Sequence, residues 1–253
     1  MMQAPTFEFA DTMAAPRIYT PEPLTVDATI SLEEQASIHL LRVLRMAVGD
    51  PIRLFNGDGN EYQAEIVQAG KKQADVRVRG INQSDEELPL NIQLGQVISK
   101  GDKMDFTIQK ATELGVSAIT PLISERCDVR LKGDRMDKKL EHWRKVAISA
   151  CEQSGRNRIP EILPVQQMSD WVQDCDANLK LILHPHNQKP LATLDKPYSI
   201  ALMVGPEGGF TEAEVAQAQQ AEFSGLILGP RILRTETAAL AAVSVLQYVW
   251  GDF

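Results

Sequence analysis

Cysteine is scarce. The 253 residues contain three, Cys127, Cys151 and Cys175, and no two stand in a C-x-x-C pair. An odd, scattered set excludes a disulfide framework and a zinc ribbon, and it fits a reducing compartment. Long apolar runs are also missing. The longest, from 238 to 250, contains Ser244 and Gln247 and is too short to cross a bilayer. Residues 1–16 carry Glu8 and Asp11, lack an apolar core and make a poor signal peptide. They are expected to form a loose extension of a cytoplasmic protein that engages no membrane. There is no excess of basic charge either. The net charge is −8, which excludes a chain coated in cations for nucleic acid. Neither G-x-x-x-x-G-K-[ST] nor G-x-G-x-x-G occurs, so the two common phosphate-cradling signatures are excluded. No internal repeat or low-complexity segment is visible.

What remains has the composition of a soluble globular protein, 43% hydrophobic and 24% charged. The length allows one large domain or two smaller ones. Charge is segregated along it. Of the 26 Lys and Arg residues, 13 fall between 100 and 160, a segment of net +4, while the segments on either side each carry −6. A local basic face can bind a polyanion on an acidic molecule, because salt screens distant charge. Asp134, Asp137 and Glu141 are interleaved there, so an ordinary solvated helix face fits the same pattern.

Patterning divides the chain. Strands are predicted at 52–55, 61–67 and 73–79, the first two joined by the turn Asn56-Gly57-Asp58-Gly59-Asn60, after a helical stretch over 31–46. A small β-barrel-like domain is expected over 17–85. The polar run 82–87, followed by Pro89, predicts a linker. Over 90–253, strands at 91–98, 116–123, 179–183, 199–204 and 225–228 alternate with helices at 102–114, 137–151 and 235–250. That order predicts an α/β domain with a mainly parallel sheet.

Two loops carry most of the chemistry. Val204-Gly205-Pro206-Glu207-Gly208-Gly209-Phe210 follows a buried strand and leads into Thr211-Glu212-Ala213-Glu214, which has the form of a capping box. Ligands of open α/β sheets bind at such strand ends, where glycine lets the backbone approach closely. A plain turn fits the same residues. The second loop, Leu228-Gly229-Pro230-Arg231-Ile232-Leu233-Arg234, also follows an apolar strand and opens an apolar helix, with Thr235 as the expected N-cap. A helix of that kind is buried, in a core or at a subunit contact. Arg234 and Glu236 at its entrance must be paired, as Arg234–Glu236 or Arg234–Glu207, or functional. His184-Pro185-His186 lacks a third ligand at metal spacing, so no metal is expected.

The ordered blocks HLLRVLRMAVGDPIRLFNGDGNEYQAEI (39–66), QKATELGVSAITPLISERC (109–127), CEQSGRNRIPEI (151–162), MVGPEGGFTEAEV (203–215) and LGPRILRTETAAL (228–240) resemble the RsmE family of 16S ribosomal RNA methyltransferases, in the SPOUT (trefoil-knot) superfamily. Before the VLR block this chain has one histidine, His39, where the family often has two; Cys151 stands where alanine is common, and residues 1–16 have no counterpart. The resemblance implies an N-terminal PUA-like β-barrel domain, a C-terminal SPOUT domain, S-adenosylmethionine as methyl donor, and a homodimer. It implies methylation of N3 of a uridine in the decoding region of 16S rRNA in the small ribosomal subunit. The donor is then expected among Leu183, His184, Val204, Gly205, Glu207, Gly208, Gly209, Leu228, Gly229, Ile232, Leu233, Arg234, Thr235, Thr237 and Ala238. Arg234 would stabilise charge on the uracil carbonyls, and Glu236 or a water would accept the N3 proton. Arg17, Arg126, Arg130, Arg156 and Arg158 are expected to contact RNA, although the Gln153-Ser154-Gly155-Arg156 block fits a place in the active site equally well. A SPOUT enzyme with another target, such as a ribose 2′-hydroxyl or a tRNA base, and a non-catalytic assembly factor are the alternatives.

Overall fold

The computed structural model describes residues 15–82, 90–129, 133–184, 191 and 194–253. Residues 1–14, the predicted linker from 83 to Pro89, Arg130, Pro185 and His186 lie outside the described residues. The chain divides into two units, Met1–Asp85 with Gly155–Arg158, and Glu86–Ser154 with Ile159–Phe253.

In the first unit, β1 (Arg17–Tyr19), β2 (Thr29–Ser31), β3 (Pro51–Phe55), β4 (Glu61–Ala69) and β5 (Ala74–Asn82) form a mixed sheet in the order β1-β3-β4-β5-β2. β1 runs parallel to β3, and the other pairs are antiparallel. Alternation sets the core face: Tyr62, Ala64 and Ile66 of β4 and Val76 and Val78 of β5 are buried, as period-two side chains on a half-buried sheet must be. The turn between β3 and β4 is built by its side chains. Asn56 Oδ1 accepts from the Asp58 amide (3.2 Å), and Asp58 Oδ1 accepts from the Asn60 amide (2.8 Å). Gly57 and Gly59 take positive φ between them. The helix predicted over 31–46 is shorter. α1 covers Glu34–Ile38, a π-helical turn follows at His39–Val43, and Arg45 at φ 58° ends it.

The second unit carries β6 (Asn91–Val97), β7 (Ala118–Ile123), β8 (Glu161–Ile162), β9 (Gln166–Gln167), β10 (Leu179–Ile182), β11 (Ser199–Val204) and β12 (Ser224–Gly225). Their order is β12-β10-β11-β6-β7-β8, with β9 also beside β7, and every pairing is parallel. The helices are α2 (Lys103–Glu113), α3 (Asp134–Ser154), α4 (Met168–Asp174), α5 (Glu212–Gln220) and α6 (Thr235–Trp250). Both sheet faces are covered, which is why the strands read as apolar runs. Ile92, Leu94, Ile200 and Leu202 point into a core shared with Met104, Ile108, Trp143, Val243 and Leu246. Val97, Ala201 and Met203 point the other way, toward Trp171, Val172, Val215 and Ala218. Gly95 allows that second layer to close, since a Cβ there would lie 2.7 Å from the Trp171 ring. β12 begins and ends earlier than the predicted 225–228, leaving Leu226 onward to the loop. Among the described residues, no helix is long and apolar enough to cross a membrane.

Candidate active site

Because the second sheet is parallel, the carboxyl ends of its strands share one edge, where loops can converge on a ligand. A cavity of about 420 Å³ lies there. Leu183 and His184 enter it after β10. Val204, Gly205, Pro206, Glu207, Gly209 and Phe210 enter from the end of β11. Ile232, Leu233, Arg234, Thr235 and Ala238 enter from the start of α6, and Lys103 from the start of α2.

The loops are held by a few strong contacts. Thr235 is the first residue of α6, not its N-cap; Arg234 takes that position without a side-chain cap. The Thr235 hydroxyl donates instead to the Gly205 carbonyl at 2.6 Å and accepts from Gln96 Nε2 at 3.1 Å. Gln96 is fully buried on β6 and also donates to the Val97 carbonyl. A carbonyl at the cavity edge needs a donor, and that demand outweighs a local cap. This relay ties both glycine loops to the centre of the sheet. Gly205 is packed under Phe210, whose ring would stand 2.9 Å from any Cβ, and Gly209 adopts φ +67°. The capping box forms as expected: Thr211 Oγ1 accepts from the Glu214 amide and Glu214 Oε2 from the Thr211 amide. The other Glu214 oxygen accepts from the Glu125 amide at 2.8 Å, joining the loop after β7 to α5.

The charges pair differently from either expected arrangement. Glu207 binds Lys103, with Nζ 2.8 Å from Oε1, and among the described residues Arg234 makes no ion pair. The Lys103 ammonium hydrogen-bonded to it holds the Glu207 carboxyl below the usual carboxylate range, against the opposing effect of burial. Glu236 is half-buried and does not line the cavity. Its Oε2 is buried with no hydrogen-bond partner among the described residues. Gly208, Leu228, Gly229 and Thr237 do not line the cavity either. Gly208 is exposed beside the Arg126 side chain, Leu228 packs against the sheet core, Gly229 turns the chain at φ +90°, and Thr237 is exposed. No group of His, Cys, Asp and Glu suited to a metal occurs among the described residues.

Known proteins resemble the chain over both units. A model of the RNA methyltransferase domain matches residues 86–247, and a model of the RNA methyltransferase PUA domain matches residues 32–79. Ribosomal RNA small subunit methyltransferase E of Buchnera aphidicola subsp. Schizaphis graminum is 39% identical over 239 residues, 94% of this chain and 97% of its own. The Bacillus subtilis protein of the same name is 36% identical over 230 residues, 87% and 90% of the two chains. The chain belongs to the ribosomal RNA small subunit methyltransferase E family. Two solved structures are similar throughout. The Neisseria gonorrhoeae ribosomal RNA small subunit methyltransferase E bound to S-adenosylmethionine is 46% identical, with TM-score 0.90 over 94% of this chain and 99% of its own. A Legionella pneumophila methyltransferase in complex with S-adenosylmethionine is 44% identical, with TM-score 0.91 over the same shares.

For a member of this family, the residues expected to meet RNA fall into different settings. Arg17 is 7% exposed. Its guanidinium lies over the Phe55 ring, donates to Glu61 Oε2 at 2.8 Å, and also donates to the Arg156 carbonyl and Asn157 Oδ1. So placed, Arg17 holds the 155–158 segment. Arg126 is exposed, but its Nη1 donates to the Gly208 carbonyl at 2.9 Å and so pins the glycine loop. Arg156 is half-buried and Arg158 exposed. The cavity also contains residues that the sequence reading missed: Lys103, Pro206 and Phe210, with Gln96 behind them. Lys103 left a signal, a cation at a helix start, where the dipole favours anions.

Proposed function

We propose that the chain methylates N3 of a uridine in the decoding region of 16S rRNA, with S-adenosylmethionine as donor, acting as a homodimer in the cytoplasm. The cavity carries this reading. Three neighbouring strand ends enclose about 420 Å³, within the roughly 300–1,000 Å³ of small-ligand pockets, in a chain 46% identical to a relative that binds this donor.

The residues present suit the donor. Leu183, Ile232 and Leu233 offer an apolar wall for adenine, and the backbone at Gly205 and Gly209 comes close without side-chain crowding. No phosphate nest is needed, because the donor has no phosphate. When bound, S-adenosylmethionine supplies an electrophilic methyl group. The chain's own residues must orient the base and remove the N3 proton, which uridine keeps at neutral pH. Arg234 faces the cavity and stabilises charge developing on the uracil carbonyls. Glu236, one residue into α6, or an ordered water receives the proton. Arg156 and Arg158 contact phosphates, which positions the RNA without reading its sequence. The exposed apolar side chains of α6, Val245, Tyr248 and Val249, form part of the subunit contact.

Calorimetry with S-adenosylmethionine and single-turnover transfer at saturating donor test this reading. Arg234→Ala and Glu236→Gln are each expected to slow transfer about 100-fold. Near-wild-type rates would remove these roles, and failure of the unaltered protein to bind the donor would remove the reading.

A further inference from the structure

Lys103 is set apart on the cavity wall. Every other described lining residue stands at or after the end of β10 or β11, or on the approach to α6 and its first turn; Lys103 alone comes from beyond β6. It is the first residue of the 11-residue α2, where the helix dipole disfavours a cation. Its side chain is 32% exposed, and its ammonium is held by Glu207. Arg234, at the N-cap of the 16-residue α6, repeats the pattern. Two cations thus stand at two helix N-termini on one cavity. The donor's sulfonium is itself positive and gains nothing from them. Their charge suits the other reactant. When N3 of uracil loses its proton, negative charge spreads onto the two carbonyl oxygens that flank it, and two cations from different loops match two oxygens. Lys100, three residues before Lys103, is exposed and paired with Asp128 at 2.7 Å, and it does not line the cavity.

We propose that Lys103 is a catalytic residue that touches the acceptor base: as the target nucleotide enters, its ammonium exchanges Glu207 for a uracil carbonyl oxygen and shares with Arg234 the negative charge left on the base. This rests on the uridine-N3 reading above. The N3–H bond breaks, its electron pair stays on the base, and the proton passes to Glu236 or to an ordered water.

The test compares Lys103→Met, Lys103→Arg and Lys100→Met in the full chain. Binding of S-adenosylhomocysteine and of methylthioadenosine, which lacks the amino-acid carboxylate, is measured by calorimetry. Single-turnover transfer is measured at saturating donor and small subunits. The expected result for Lys103→Met is a cavity that binds both nucleosides within about threefold of the unaltered protein, and transfer slowed at least about 100-fold, the effect of removing one oxyanion donor. Lys103→Arg should recover about tenfold or more, and Lys100→Met should change the rate less than about twofold. An equal loss in Lys100→Met would overturn the proposal in favour of general charge. Weaker S-adenosylhomocysteine binding with methylthioadenosine unaffected would place Lys103 on the donor's carboxylate. An unchanged rate in Lys103→Met would leave it a latch for Glu207. If the unaltered protein makes no 3-methyluridine, the uridine-N3 reading itself fails and the proposal with it.

Discussion

Replacing Thr235 by valine should damage the cavity at the strand ends without touching its chemistry. The side chain is 6% exposed, and valine nearly matches its shape but lacks the hydroxyl. Two hydrogen bonds disappear, the 2.6 Å bond to the Gly205 carbonyl and the 3.1 Å bond from Gln96 Nε2. Gln96 keeps its bond to the Val97 carbonyl, so its loss is partial. The Gly205 carbonyl loses this donor at the edge of the cavity. An unsatisfied buried polar group costs about 1–3 kcal/mol, so the variant should lose about 2–4 kcal/mol. In a unit of this size that lowers Tm by about 5–12 °C. Gly205 and Thr235 both line the cavity, so S-adenosylhomocysteine affinity should fall about tenfold or more even well below Tm. Thr235→Ser should restore most of both. In a double-mutant cycle with Gln96→Leu, the two changes should be non-additive by about 0.5–3 kcal/mol. Chemical unfolding and calorimetry measure both quantities. A Thr235→Val protein with unchanged stability and unchanged ligand affinity would refute the relay.

Four further outcomes follow from other parts of the molecule. Gly95→Ala should cost about 1–3 kcal/mol in chemical unfolding, because the new methyl meets the Trp171 ring. Glu207, with its pKa depressed by Lys103, should titrate below the ordinary value of about 4.3. The pair then contributes stability above that value and loses it as the pH falls through the depressed one; carboxyl NMR of the unaltered protein and Lys103→Met, where the pKa should rise, checks the sign. Arg158→Ala should weaken RNA binding across sequences and make the salt slope shallower by about 0.7–0.9, as for one phosphate contact; an unchanged slope assigns the residue elsewhere. Tyr248→Glu with Val249→Glu, both on the exposed side of α6, should sediment as a monomer where the unaltered protein, on the proposed reading, sediments as a dimer.

Much of the second unit was legible because its signals are local. The Thr211–Glu214 box satisfies its own backbone donors, and β10 and β11 are apolar runs because both faces of their sheet are covered. Gly115 ends α2 at φ +86°, as a glycine after a helix predicts. Other elements are too short to leave a pattern: β1 and β2 have three residues, and β8 and β9 have two. The predicted helix over 31–46 continued the apolar spacing of HLLRVLRM, but Arg45 takes a left-handed conformation that spacing does not encode. The site was harder. Gln96 in an apolar strand carries no signal of its own, since its meaning comes from a hydroxyl 139 residues away. Sequence shows the charge of Arg17 and Arg126 but not the partners that the structure gives them. One is committed to Glu61 and the 155–158 segment, the other to the Gly208 carbonyl.

The most direct test of the central claim is methyl transfer from labelled S-adenosylmethionine to small ribosomal subunits lacking the uridine N3 mark, followed by mass spectrometry of the digested RNA. 3-Methyluridine should appear at a single site in 16S rRNA. Label in a ribose 2′-hydroxyl, in tRNA, or in no RNA at all while the donor still binds would contradict it.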